Sequence, residues 1–139
     1  MQKNDIYEIE ITGMTDEGDG VGRINGFAVF VPYTIIGETV RIILIKVLKN
    51  YAVGKLIEVI IPSKSRTKSA CADFYKCGGC KLWHMSYEEE LLFKKKKVSD
   101  CLKRIGGFDN INIDDVVPSS KISRYRNKSQ FPVTPEGIG

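Results

Sequence analysis

Three cysteines fall within the stretch CADFYKCGGC, Cys71 to Cys80, at the spacing C-x5-C-x2-C. Thiolates bind soft metals and iron–sulfur clusters, and they act as nucleophiles and redox groups. The chain has four cysteines in all, and a cluster this tight points to metal or redox chemistry over structural disulfides in a reducing compartment. Two metal readings fit about equally well. An iron–sulfur cluster usually takes four thiolates, often three close together and one remote. Gly78-Gly79 between Cys77 and Cys80 would let backbone amides approach the cluster sulfurs. Zinc is closed by three thiolates and one imidazole, which Cys71, Cys77, Cys80 and His84 offer as C-x5-C-x2-C-x3-H. Cys101 is the alternative fourth thiolate. Thiol redox through C-x-x-C lacks the βαβ surroundings that it needs.

These residues sit between two kinds of element. Residues 6–60 read as all-β. YEIEITG alternates, with Tyr7, Ile9 and Ile11 on one face and Ile6, Glu8 and Glu10 on the other. FAVFVP is a short apolar strand, and ETVRIILIKVLKN and YAVGKLIEVI are β-branched runs joined at Lys49-Asn50. Several strands with short turns predict a small OB-like barrel, which removes its own edges by closing. GDGVG, Gly18 to Gly22, invites a phosphate-loop reading, but no helix follows it, so the glycines are assigned to a turn with positive φ. A basic linker, IPSKSRTKSA, leads to the cysteines.

One clear helix follows. Ser86 and Glu89 form a capping box, Glu88 to Glu90 lie in the first turn, Lys103 and Arg104 in the last, and Gly106-Gly107 ends it. Val98, Cys101, Leu102 and Ile105 form the predicted buried stripe, which assigns Cys101 to the core and leaves the lysines at 94–97 solvated. Beyond it, RYRNKSQFPV read at period 2 places Arg124, Arg126 and Lys128 on one strand face, an arrangement suited to an anionic ligand. TPEGIG reads as the tip of a hairpin, so the chain is expected to be a fragment. The fold class is therefore mostly β with one clear helix: a barrel over residues 1–62, then an incomplete α+β segment over 63–139.

Composition agrees with a globular chain: 42% hydrophobic and 27% charged over 139 residues. No apolar run of about 18 residues crosses a membrane. The polar start MQKNDIYEIE lacks a signal pattern, which predicts a cytoplasmic location. Residues 1–60 carry six Lys/Arg against eight Asp/Glu, a net of −2, and residues 61–139 carry fifteen against nine, a net of +6. That asymmetry permits a polyanionic partner.

The assembled pieces resemble a known family. DEGDGVGRINGFAVFVPYTIIGETV and KNYAVGKLIEVIIPSKSR look like a TRAM domain, CADFYKCGGCKLWHMSYEEELLFKKKKVSDCLKRIGG is similar to a cluster segment, and YRNKSQFPV looks like the opening strand of a central domain. In that order they resemble the N-terminal part of the RNA 5-methyluridine methyltransferases, specifically the 23S rRNA (uracil-5-)-methyltransferases. Trp83 departs from the pattern, where relatives commonly carry glutamine. The resemblance implies that Cys71, Cys77 and Cys80 are three of four ligands to a [4Fe–4S] cluster. The fourth would lie past Gly139, leaving the cluster labile or absent in this chain and demoting His84 and Cys101. It also implies S-adenosylmethionine as methyl donor for the full-length enzyme, RNA as partner, and no membrane or obligate protein partner. It assigns no catalytic or S-adenosylmethionine-binding residue to this chain. Expected RNA contacts are Arg124, Arg126 and Lys128, with Arg23, Lys46, Lys49, Tyr51 and Lys55 on the barrel. The competing expectation is a stand-alone zinc RNA-binding module without catalysis.

Overall fold

The computed structural model describes residues 1–125, 127–128, 133–135 and 137–138. It divides into two units: Met1–Ala70 with Lys81–Met85, and Cys71–Cys80 with Ser86–Gly139.

The first unit is built on a closed five-stranded barrel with strand order β1-β2-β3-β5-β4. Its strands are β1 (Ile6–Met14), β2 (Gly20–Ile24), β3 (Phe27–Val31), β4 (Thr39–Val47) and β5 (Tyr51–Ile61). All neighbours pair antiparallel except β3 and β5, which run parallel and close the barrel. The period-2 pattern sorts residues as the sequence predicts. Ile9, Ile11, Ile24, Val29, Val31, Val40, Ile42, Leu44 and Ala52 form the core, while Ile6, the apolar residue on the polar face of β1, is 58% exposed. The β2–β3 turn, Asn25-Gly26, has φ of 50° and 83°. Two positive φ values match the right-handed twist of a tight hairpin.

Glycines in GDGVG do something other than expected. Gly18 does take a positive φ of 89°. Gly20 and Gly22 instead lie on β2, where the chain approaches its neighbours closely. A Cβ on Gly20 would stand 2.0 Å from Thr34 Oγ1, and one on Gly22 2.7 Å from Ile9 Cδ1.

A polar network ties the segments after β5 to the β3–β4 loop. Glu38 is fully buried. Its carboxylate accepts from the amides of Ile35 (2.9 Å) and Ser63 (3.2 Å) and from Arg66 Nε and Nη2. Arg66 Nη2 also donates to the Tyr33 carbonyl at 2.8 Å. Burial pushes the Glu38 carboxyl up, but the Arg66 guanidinium and the two amides outweigh it and hold it below its ordinary value.

In the second unit, a short helix α1 (Phe74–Cys77) ends at Gly78 with φ 70°. Helix α2 (Tyr87–Arg104) starts where the capping box predicts, the Ser86 side chain accepting from the Glu89 amide at 3.3 Å. The lysine run is solvated as expected, and three of its members pair with acids: Lys94 with Glu90, Lys95 with Asp115, Lys96 with Asp100. A two-stranded hairpin of β6 (Val133–Thr134) and β7 (Gly137–Ile138) forms at the expected tip. Among the described residues, no helix is long and apolar enough to cross a membrane.

Two expectations fail here. The predicted stripe of α2 is not buried: no residue of the helix is, Cys101 is exposed, and Ile105 is 85% exposed. Periodicity defines an apolar face, but only a covering element buries it, and none among the described residues does so. Nor are the described cations of the expected strand, Arg124 and Lys128, in strand conformation. Arg124 has φ 54°, a left-handed value incompatible with a strand, and Lys128 lies outside any strand. Arg126 lies outside the described residues.

Candidate functional site

Alternation along three strands builds a face on the outside of the barrel. Gly20, Gly22 and Ile24 on β2, Val29 and Val31 on β3, and Ala52 and Gly54 on β5 point inward and are buried. Their neighbours therefore point out: Val21 and Arg23, Ala28 and Phe30, Tyr51, Val53 and Lys55. Register places them side by side. Arg23, Ala28 and Tyr51 form one row across β2, β3 and β5; Val21, Phe30, Val53 and, on β4, Lys46 form the next. The Phe30 and Tyr51 rings meet with centroids 5.2 Å apart at 56°, and Tyr51 remains 38% exposed. Lys49 lies in the β4–β5 turn, which the Leu48 amide closes onto the Tyr51 carbonyl at 2.9 Å.

The structure thus brings Arg23, Lys46, Tyr51 and Lys55 onto one face, with Lys49 at its edge. An aromatic pair ringed by cations is what a single-stranded nucleic acid needs: π-faces for bases and positive charge for phosphates. Sequence reasoning missed Phe30. The signal was present, since in FAVFV the flanking Val29 and Val31 are the buried pair, which turns Phe30 outward. Arg41 is a cation of a different kind. It is committed to Glu8 (2.6 Å) and Glu58 (2.7 Å), and donating to the Glu8 carboxylate, with the charges of both acids, holds the guanidinium above its ordinary pKa.

In the cysteine segment, Cys71 and Cys80 are exposed and Cys77, at the end of α1, is partly buried; none of the four sulfurs is in a disulfide. A Cβ on Gly79 would stand 3.4 Å from Cys77 Sγ, so the glycine keeps backbone close to that sulfur. Three thiols in a polar, glycine-bearing loop are chemically fit to hold three irons of a four-iron cluster. Among the described residues, however, no three His, Cys, Asp or Glu side chains stand together in a metal-holding group. Thiolates repel until a cation neutralises them, so ligand sets commonly form together with metal binding.

The other two candidate ligands are placed elsewhere. His84 is fully buried, its Nε2 3.3 Å from the Thr34 carbonyl and its ring edge-on to Tyr33. Burial holds the imidazole below its ordinary pKa, against the raising effect of the Thr34 carbonyl. It is a packed side chain of the first unit. Cys101 lies on the exposed surface of α2. Arg124 and Lys128 are exposed outside any strand, so they do not share a strand face.

The TRAM domain family matches residues 2–57, the span of the barrel up to the middle of β5. Along 98% of its length the chain is 48% identical to an uncharacterised RNA methyltransferase of Clostridium tetani, and along 96% it is 38% identical to one of Halalkalibacterium halodurans. It spans about 29% of the length of each of these relatives. Among solved structures, it is similar to the Pyrococcus abyssi tRNA (uracil-54, C5)-methyltransferase in complex with S-adenosyl-L-homocysteine. There the TM-score is 0.63 and the identity 33%, covering 95% of this chain and 28% of that one. Residues 2–57 match the TRAM domain family, within a chain that is similar to a segment of the RNA methyltransferases along nearly its whole length.

Proposed function

We propose that this chain is the RNA-binding and cluster-bearing part of an S-adenosylmethionine-dependent RNA uridine C5 methyltransferase that works in the cytoplasm. The observation that carries the RNA-binding part is the barrel face of Phe30 and Tyr51 rimmed by Arg23, Lys46, Lys49 and Lys55. The enzymatic part rests on the named relatives and on the product-type ligand, S-adenosyl-L-homocysteine, in the Pyrococcus abyssi structure. In this reading the chain holds and orients the RNA, and the methyl transfer is performed by residues outside it. Cys71, Cys77 and Cys80 would supply three of the thiolates for a [4Fe–4S] cluster, which would bring iron–sulfur chemistry to the loop. Arg124, Arg126 and Lys128 add positive charge for the phosphates.

Sequence resemblance favours 23S rRNA as the substrate. A second reading, tRNA, is favoured by the solved neighbour, which acts on a tRNA uracil. Binding of the chain to a single-stranded 23S rRNA fragment and to a tRNA, each titrated against salt, tests both. Neutralising four phosphates on a single strand gives a slope of log K against log salt of about −3. Tighter binding to the tRNA selects the second substrate, and binding that does not weaken with salt removes the phosphate contacts.

A further inference from the structure

The cysteine segment leaves and re-enters the first unit at residues that are fastened to each other. The Thr67 amide donates to the His84 carbonyl at 3.0 Å, and Arg66 and Met85 form an isolated antiparallel bridge. Both strands of this base are also fastened to the β3–β4 loop. On one side, Arg66 enters the buried carboxylate of Glu38 and the carbonyl of Tyr33. On the other, His84 is seated on the carbonyl of Thr34. Lys81, next to Cys80, is further drawn to Asp19 (3.5 Å) and Glu17 (3.8 Å). The loop thus offers successive backbone carbonyls and one buried acid as a socket, with Arg66 and His84 as the two plugs. Cys71, Cys77 and Cys80 all lie between the plugs in sequence.

We infer that Glu38, Arg66 and His84 are positioning residues for the cysteine ligand set: they close the base of the loop over residues 68–83 so that its thiolates gather at a smaller entropy cost. Bringing flexible chain ends together is unfavourable, and a base closed before the metal arrives removes that cost from binding. An ion pair built on a buried, hydrogen-bonded carboxylate suits the task, because loss of either partner leaves a charge uncompensated and opens the base. This explains why the carboxylate of Glu38 is buried beside an apolar barrel core. It also gives His84 a role beside the thiolates without making it a ligand. The inference rests on the reading of Cys71, Cys77 and Cys80 as metal ligands.

Cobalt(II) titrated into the reduced chain tests it, with thiolate-to-cobalt charge-transfer absorption as the readout. The variants are His84→Phe and the double exchange Glu38→Gln with Arg66→Met, which removes both charges of the pair together; Cys77→Ala is the control. The expected result is thiolate absorption in the native chain, reduced in Cys77→Ala. In His84→Phe and in the double variant, affinity falls about 10–100-fold, the usual effect of losing an outer partner, while the barrel stays folded by far-UV circular dichroism. Unchanged affinity in folded variants overturns the positioning role and leaves the ligand reading intact. Absence of thiolate absorption in the native chain overturns the ligand reading and the inference with it. A second measurement needs no variant. Coupling is reciprocal, so cobalt must slow hydrogen exchange at the Thr67 amide; exchange that cobalt leaves unchanged overturns the inference.

Discussion

Gly20 shows how a single residue carries more than its type announces. Its place in a glycine-rich run suggests backbone freedom, yet its strand position requires the absence of a side chain, with Thr34 Oγ1 filling the space a Cβ would take. Gly20→Ala is therefore expected to destabilise the barrel by about 1–3 kcal/mol, as overpacking does, read as a lower midpoint in urea unfolding. Phe30 is the complementary case, a large apolar residue turned away from the core. Base stacking on an aromatic ring contributes about 1–3 kcal/mol. Phe30→Ala and Tyr51→Ala should each weaken binding of a single-stranded RNA by that amount and leave the salt slope unchanged. Lys46→Ala should lower the slope. Equal slopes in all three variants would remove the division between stacking and phosphate contact. Tyr51 and the cations were legible because aromatic and basic types stand out in a β-rich stretch. Phe30 was overlooked because the same residue type also builds cores, and only the register beside Tyr51 distinguishes the two uses.

Among the elements, α2 was the most legible, since its signals are local. The Ser86 hydroxyl satisfies an amide that the first turn leaves open, and that bond is made within four residues. Ser86→Ala should cost about 1 kcal/mol of helix stability, measured as loss of ellipticity on heating; an unchanged transition would show that the cap contributes nothing. The apolar stripe of α2 was legible as a pattern and wrong as a burial statement, because burial depends on what lies opposite. Alternating charge marks a segment able to be a strand, but a strand exists only when a second one takes its hydrogen bonds. The five barrel strands all find such partners; four were visible in the sequence as β-branched or alternating runs, while β2 (Gly20–Ile24) was hidden because its glycines read as a turn.

For the molecule as a whole, the two buried ionisable groups of the first unit set its response to acid. Burial lowers the His84 pKa from 6.5, so the folded state favours the neutral ring. That contribution is complete above pH 6.5 and is lost as pH falls below it. The Glu38 pKa is lowered from 4.5 by Arg66 and the two amides in spite of burial. Its contribution is complete above pH 4.5 and is lost as pH falls through the folded value. Both act in one direction, so barrel stability should decline in two stages on acidification. Denaturant midpoints measured from pH 8 to pH 3 check this, and His84→Phe should remove the upper stage alone. A midpoint that rises on acidification would contradict both assignments.

By itself the sequence determined four of the five barrel strands, the helix and its caps, and the three-thiol segment with its glycines, because each is encoded by periodicity or by spacing along a few residues. Tertiary structure decided which cations share a face with Phe30 and Tyr51, that Arg66 and His84 meet the β3–β4 loop, and that the α2 stripe stays open. Those outcomes depend on pairings between residues distant in the chain, such as Glu38 with Arg66 or Ala28 with Tyr51. Barrel closure sets them through strand register and burial, and neither quantity exists until the strands have met.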